Sequence, residues 1–273
     1  MEHIVLHKLV LIVISGILCH WLAWRFKIPS IALFSVVGLA IGPVFNWVDP
    51  GQDFGVLVEA IIKLALALIL FEGGLNLKFH ELTHTGKAVK HLILLGLPLS
   101  WFFGFLVCYW VADLSFTLSL LLSCILVVTG PTVILPLIRQ TKLKTRTSSL
   151  LKWEGIINDP IGILLAVLVF QFVVASDFIA LDKITILYLL GSVASSILIG
   201  FGGAHFLKFV FEKGHVPEFL KLPTVLATVL SLYALSDLLQ EEIGLLTVTV
   251  MGITMGNIGM LIIYELRKFK EGS

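Results

Sequence analysis

The stretch Trp153-Glu154-Gly155-Ile156-Ile157-Asn158-Asp159-Pro160 decides how this chain is read. It sets two acids and an amide at the start of a run that is otherwise oil-soluble, Ile161-Gly162-Ile163-Leu164-Leu165-Ala166-Val167-Leu168-Val169-Phe170. A carboxylate at the centre of a bilayer costs roughly 2.5 kcal/mol or more. A chain that keeps one there points to a use for it, and binding an ion or a proton is the use its chemistry suggests. Glu154 and Asn158 are four apart, so on a helix they share a face and are within hydrogen-bonding reach, while Asp159 lies ~100° further round. Pro160 has no N–H and leaves a carbonyl near Ile156 without its helical partner.

The rest of the chain fits a bilayer. Of 273 residues, 58% are hydrophobic and only 14% charged, more apolar surface than a soluble domain of this length covers. A span needs about 20 apolar residues. Nine runs qualify: 4–24, 30–48, 56–77, 89–112, 115–138, 149–175, 184–209, 223–239 and 243–263, the eighth being the shortest. The first is long enough to cross and no small-residue cleavage site follows it, so it reads as a span and not a signal peptide. Alternate gaps between the runs, with the run ends that adjoin them, hold 16 of the 19 basic residues, among them Arg139, Lys142, Lys144, Arg146 and Lys152. The remaining gaps hold Asp49, Asp53, Asp113, Asp177, Asp182, Glu241 and Glu242. By the positive-inside rule the basic gaps are cytoplasmic and the N-terminus is outside. The net charge of +1 points to no partner. The basic residues anchor loops and form no nucleic-acid patch.

The fifth run contains Val127-Val128-Thr129-Gly130-Pro131-Thr132-Val133. Pro131 deprives the carbonyl near Val127 of its partner, and Gly130 adds backbone freedom. Two readings stand: a plain proline kink, or a helix break whose free carbonyls and Thr129 hydroxyl serve an ion. Pro131 lies eight residues before Arg139, about 12 Å along a helix, and Asp159 seven after Lys152, about 10 Å. The two runs share one short loop and run in opposite directions, so break and carboxylate are expected at similar depth on packed neighbours. Asp159 also admits the reading of a buried ion pair, and Glu154, two residues from Lys152, that of a solvated interfacial acid. Elsewhere, Glu59 and Lys63 are spaced to pair on a helix. Glu72 suits a structural pair with a basic loop. Cys19, Cys108 and Cys124 read as small buried residues. His80 and His84 form a His-x-x-x-His pair in a loop. No phosphate loop, nucleophile elbow or zinc motif is present, so neither ATP drive nor enzyme chemistry is expected, and no cofactor.

These residues together resemble the monovalent cation:proton antiporters of the NhaP-like sodium/proton exchanger family. The matching pieces are Phe26-Lys27-Ile28-Pro29-Ser30, Gly38-Leu39-Ala40-Ile41-Gly42-Pro43, Ile69-Leu70-Phe71-Glu72-Gly73-Gly74-Leu75, Thr129-Gly130-Pro131-Thr132-Val133-Ile134 and Glu154-Gly155-Ile156-Ile157-Asn158-Asp159, in the family's order. The resemblance implies an all-α membrane protein of about nine transmembrane helices with the antiporter's inverted-repeat fold, its second repeat incomplete. It implies a scaffold and dimerisation part over 1–86, an ion-site core part over 87–176, and a linker with the start of the second repeat over 177–273. It implies a homodimer in a lipid bilayer, in a bacterial inner membrane, exchanging Na+ or K+ for protons. Asp159 and Thr129 would hold the monovalent cation, Asn158 and Glu154 would steady the site, and Gly130, Pro131 and Pro160 would break the helices. Two departures stand out. Gly130 occupies a place where many family members carry Asp, and the chain stops at Ser273, before the family's later core helices. A partial chain, a sensor or another non-transporting membrane protein is therefore the alternative expectation, and a channel a third.

Overall fold

The computed structural model describes residues 2–26, 28, 30–129, 134, 138, 143–174, 183–240 and 242–258. Among these there is no strand. The helices are α1 (Glu2–Phe26), α2 (Ser30–Leu39), the short α3 (Pro50–Phe54), α4 (Leu57–Leu75), α5 (Leu82–His91), α6 (Leu97–Trp110), α7 (Phe116–Val127), α8 (Thr145–Val174), α9 (Lys183–Glu212), α10 (Glu218–Asp237) and α11 (Ile243–Asn257). By length and composition, Val5–Phe26, Thr85–Trp110, Leu190–Glu212 and Glu218–Asp237 are each able to cross a bilayer. The chain divides into two compact units, residues 1–65 with 132–142, and residues 66–131 with 143–273.

Two prolines shape their helices in the same way. Pro43 lies in a wide π turn, Ala40–Val44, that continues α2, and a second π turn, Leu92–Gly96, joins α5 to α6 just before Pro98. A proline cannot donate to the carbonyl four residues back, and its ring crowds that carbonyl. Widening the turn re-pairs the backbone one residue further on, as in Phe45 N–H to the Ala40 carbonyl at 2.9 Å. The helix survives where the fixed i→i−4 pattern would fail.

In the first unit α1 packs on α2. Asp49 caps α3 by accepting from the Gln52 N–H at 3.1 Å, with Pro50 at the first helical position. Asp53 accepts from Lys8 Nζ at 2.6 Å and from the Asp49 N–H at 2.8 Å. The lysine first, then the backbone donor, hold its carboxyl below the usual carboxylate range. Because the folded pKa is depressed, this stabilisation is complete above the unfolded value of about 3.9 and is lost as pH falls through the lower folded one. Asp53→Asn should therefore lower the melting temperature slightly near neutrality, with the difference shrinking as pH falls below the unfolded value and vanishing below the folded one. A difference that does not change with pH would count against the pair. Glu59 and Lys63 form the pair that their spacing suggests, at 3.0 Å.

The second unit is built around α11, which is buried on nearly every side. Its Leu245, Val248, Met251 and Met255 pack against Ala67, Leu70 and Phe71 of α4, Ala204, Leu207 and Phe211 of α9, and Val225, Val229 and Tyr233 of α10. Glycines set the spacing. A Cβ on Gly252 would fall 2.3 Å from the Phe71 carbonyl oxygen, and one on Gly200 2.4 Å from that of Thr247. Small residues let helix backbones touch where oil offers no hydrophobic drive to association. The far end of α11 is fastened by Asn257, whose Nδ2 donates to the Leu77 carbonyl at 2.8 Å and whose Oδ1 accepts from the Phe79 N–H at 2.8 Å. Lys78 Nζ donates to the Gly256 carbonyl, a cation meeting the open end of a helix.

Two sequence expectations change here. The eighth run begins five residues earlier than its apolar stretch, at Glu218, and carries Pro223 inside the helix. Lys221 paired to Glu218 lets the polar first turn extend it. Pro160 does not break its helix: α8 runs through it from Thr145 to Val174. One lost N–H is a local defect, and packing on α7, α5 and α11 holds the helix on both sides.

Candidate functional site

The site is assembled where α7 ends against the middle of α8. α7 stops at Val127, and Val128 is extended, with φ −73° and ψ 120°. That turn aims Thr129 at α8, whose early turns carry Glu154, Asn158 and Asp159. Thr129 Oγ1 donates to Glu154 Oε1 at 3.4 Å, and Asn158 Nδ2 donates to the same oxygen at 3.0 Å. The second bond is the i,i+4 pair that the spacing of Glu154 and Asn158 suggests. Asn158 and Asp159 are buried, 3% and 7% exposed, Glu154 is half-buried, and Thr129 lies at the open lip. The Asn158 amide is used on one side only: its Oδ1 is buried and accepts no hydrogen bond among the described residues. Gly130 and Pro131, the expected break, lie outside the described residues.

Sequence reasoning overlooked Gly162. A Cβ there would fall 2.5 Å from Val128 Cγ2, so any larger residue would force the Val128 side chain to turn at the end of α7. It is a positioning residue, one place removed from the hydroxyl that meets Glu154. A lone glycine in an apolar helix is the cue for such close approach.

The donor set is chemically uniform. Thr129, Glu154, Asn158 and Asp159 offer hydroxyl, carboxylate and amide oxygens, with no imidazole or thiolate. Hard cations and protons are the partners for such oxygens; transition metals prefer nitrogen and sulfur. Among the described residues no group of three or more His, Cys, Asp or Glu is placed to hold a metal ion. Glu72 is exposed on α4, its carbonyl accepting from Asn76 Nδ2 at 2.8 Å.

Apolar helices with acids and amides buried among them define an integral membrane protein. A profile of the sodium/hydrogen exchanger transmembrane family matches residues 9–264, and the chain belongs to that family. The family is one of transporters, not of enzymes. The chain is 24% identical over 239 residues to the K(+)/H(+) antiporter NhaP2 of Shewanella sp. strain ANA-3, covering 85% of this chain and 40% of that protein. It is 26% identical over 253 residues to the K(+)/H(+) antiporter NhaP of Alkalimonas amylolytica, covering 89% and 42%. The chain thus spans about two-fifths of the length of these curated relatives. Its fold is similar to the sodium proton antiporter MjNhaP1 of Methanocaldococcus jannaschii, with a TM-score of 0.77 at 22% identity over 98% of this chain and 65% of that one.

Proposed function

We propose that this chain carries the exchange site of a monovalent cation:proton antiporter, with Asp159 holding either Na+ or K+ or a proton, one at a time. The observation that carries the reading is the half-used Asn158 amide. Its N–H side fixes Glu154, while its buried Oδ1 stays open one residue before a buried carboxylate. Family membership and relatives named for K(+)/H(+) and Na(+)/H(+) exchange support it. Glu154 and Asn158 steady the site, and Thr129 supplies an oxygen ligand at its mouth.

Coupling follows from the cost of burial. An occupied site, neutralised by a cation or a proton, crosses the hydrocarbon cheaply; an empty charged one does not. One titrating carboxylate trades one proton for one monovalent ion. The asymmetry of basic residues supports an N-terminus outside the inner membrane, and the family resemblance supports a homodimer. No cofactor takes part.

The test is exchange in proteoliposomes, with a pH dye inside and Na+ or K+ added outside. Cation addition should drive proton efflux. Asn158→Ala removes the shorter of the two bonds to Glu154, leaving it the Thr129 hydroxyl, and takes away the open Oδ1 as well, a loss of about 1.4 kcal/mol or more that should weaken apparent cation affinity at least ~10-fold. Cation flux without counter-movement of protons would mean a channel and would sink the proposal.

A further inference from the structure

Helix α8 carries a second charged element two turns before Asp159. Lys152 Nζ donates to Glu81 Oε1 at 2.7 Å, with the two side chains 19% and 17% exposed. Glu81 closes the 3-10 turn Phe79–Glu81, whose first and last residues meet Trp153 and Lys152 of α8. Phe79 stacks on Trp153 with ring centroids 6.1 Å apart, and Leu77, Val89, Trp153 and Ile156 form one buried cluster. Glu81 Oε2 is buried and accepts no hydrogen bond among the described residues, so Lys152 is the one partner that its carboxylate holds there.

A partly buried ion pair is a weak source of stability, since desolvation and solvent screening offset its attraction. Its position suggests another role. Seven residues make almost two full turns, so Lys152 and Asp159 stand on one stripe of α8, about 10.5 Å apart along the axis, with Ile156 between them. With the charges about 10–15 Å apart and an effective dielectric of about 20, a bare ammonium would weaken cation binding at Asp159 several-fold. Lys152 belongs to the basic set that anchors this end of the helix. Glu81 makes such an anchor compatible with a cation site on the same stripe.

We infer that Glu81 is a charge-balancing residue of the Asp159 site: by pairing with Lys152 it removes a fixed positive charge that would otherwise compete with the incoming cation. This rests on the ion-site reading above. It accounts for a buried carboxylate that touches neither Glu154 nor Asn158.

Opposite signs in the two single variants test it. The purified full chain is titrated with Na+ and with K+ in detergent, and apparent affinity is read from the cation-dependent rise in melting temperature. Glu81→Gln should weaken affinity 3- to 10-fold by the Coulomb estimate. Lys152→Gln should tighten it, and the Glu81→Gln/Lys152→Gln double variant should return within about twofold of wild type. A structural tether predicts otherwise: both singles weaken binding and the double is no better. That result overturns the inference and leaves the Asp159 site standing. A wild-type chain with no saturable response, or one that survives Asp159→Asn, overturns the site reading and the inference with it.

Discussion

Asp159→Asn should abolish saturable cation binding and exchange while leaving the protein folded as before. The change is nearly isosteric, and what it removes is charge. Asp159 is 7% exposed, and on the proposed reading its carboxylate sits at membrane depth, at a cost of roughly 2.5 kcal/mol or more that an amide would not incur. The melting temperature without added cation should stay level or rise. The rise on adding Na+ or K+ should vanish, since a neutral amide cannot replace the Coulomb attraction of a direct ion contact. The loss is on the order of 100-fold or more in affinity. The two readouts move apart, which distinguishes a working charge from a structural one. A variant with wild-type cation response would remove Asp159 from the site. A variant that fails to fold would recast the carboxylate as part of a buried ion pair.

Gly252→Val should prevent stable folding of the second unit. Even the first added carbon falls 2.3 Å from the Phe71 carbonyl oxygen and 3.2 Å from Gly74 Cα. Both neighbours are backbone, with no side chain to swing aside. Overpacking of a well-filled core costs about 1–3 kcal/mol where side chains yield, and more where they cannot. Gly252→Ala should already lower the melting temperature by several degrees, and valine should give protein that aggregates on size exclusion. Gly202 is the control. It lies on the exposed side of α9 with nothing within 4 Å of an added Cβ, so Gly202→Ala should be neutral or stabilising. Equal tolerance at the two sites would mean that α4 and α11 do not touch as described.

Much of this was legible in the residues, for reasons specific to each. The Glu154–Asn158 bond follows from an i,i+4 spacing and needs no tertiary knowledge, as does Glu59–Lys63. That the end of α7 packs on α8 follows from two antiparallel runs joined by a short loop, but the spacing does not say that Thr129 meets Glu154 there. Lys152–Glu81 was not legible, because the partners are 71 residues apart and nothing local marks one for the other. The central place of α11 was hidden too. A run that is apolar all round reads the same whether lipid or other helices surround it, and only the match of Gly252 to Gly74 tells them apart. Pro160 misled because proline's local rule is strong. A membrane helix packed on both sides outlasts the loss of a single bond.

The clasp between Asn257 and the Leu77–Phe79 segment bears on how the molecule is made. Its partners are 178–180 residues apart in the chain. At ribosomal speeds of about 5–20 residues per second, the older partner waits roughly 10–35 seconds for the younger to emerge. During that interval the C-terminal end of α4 has inserted but lacks its mate, and the bare glycine face of Gly74 stands open to lipid or to a wrong neighbour. Assembly of this unit is therefore gated by its last described helix. A ribosome stalled before residue 243 should leave α4 accessible to cross-linking from Leu70→Cys, a position buried in the core that α11 completes, and release past Asn257 should close it.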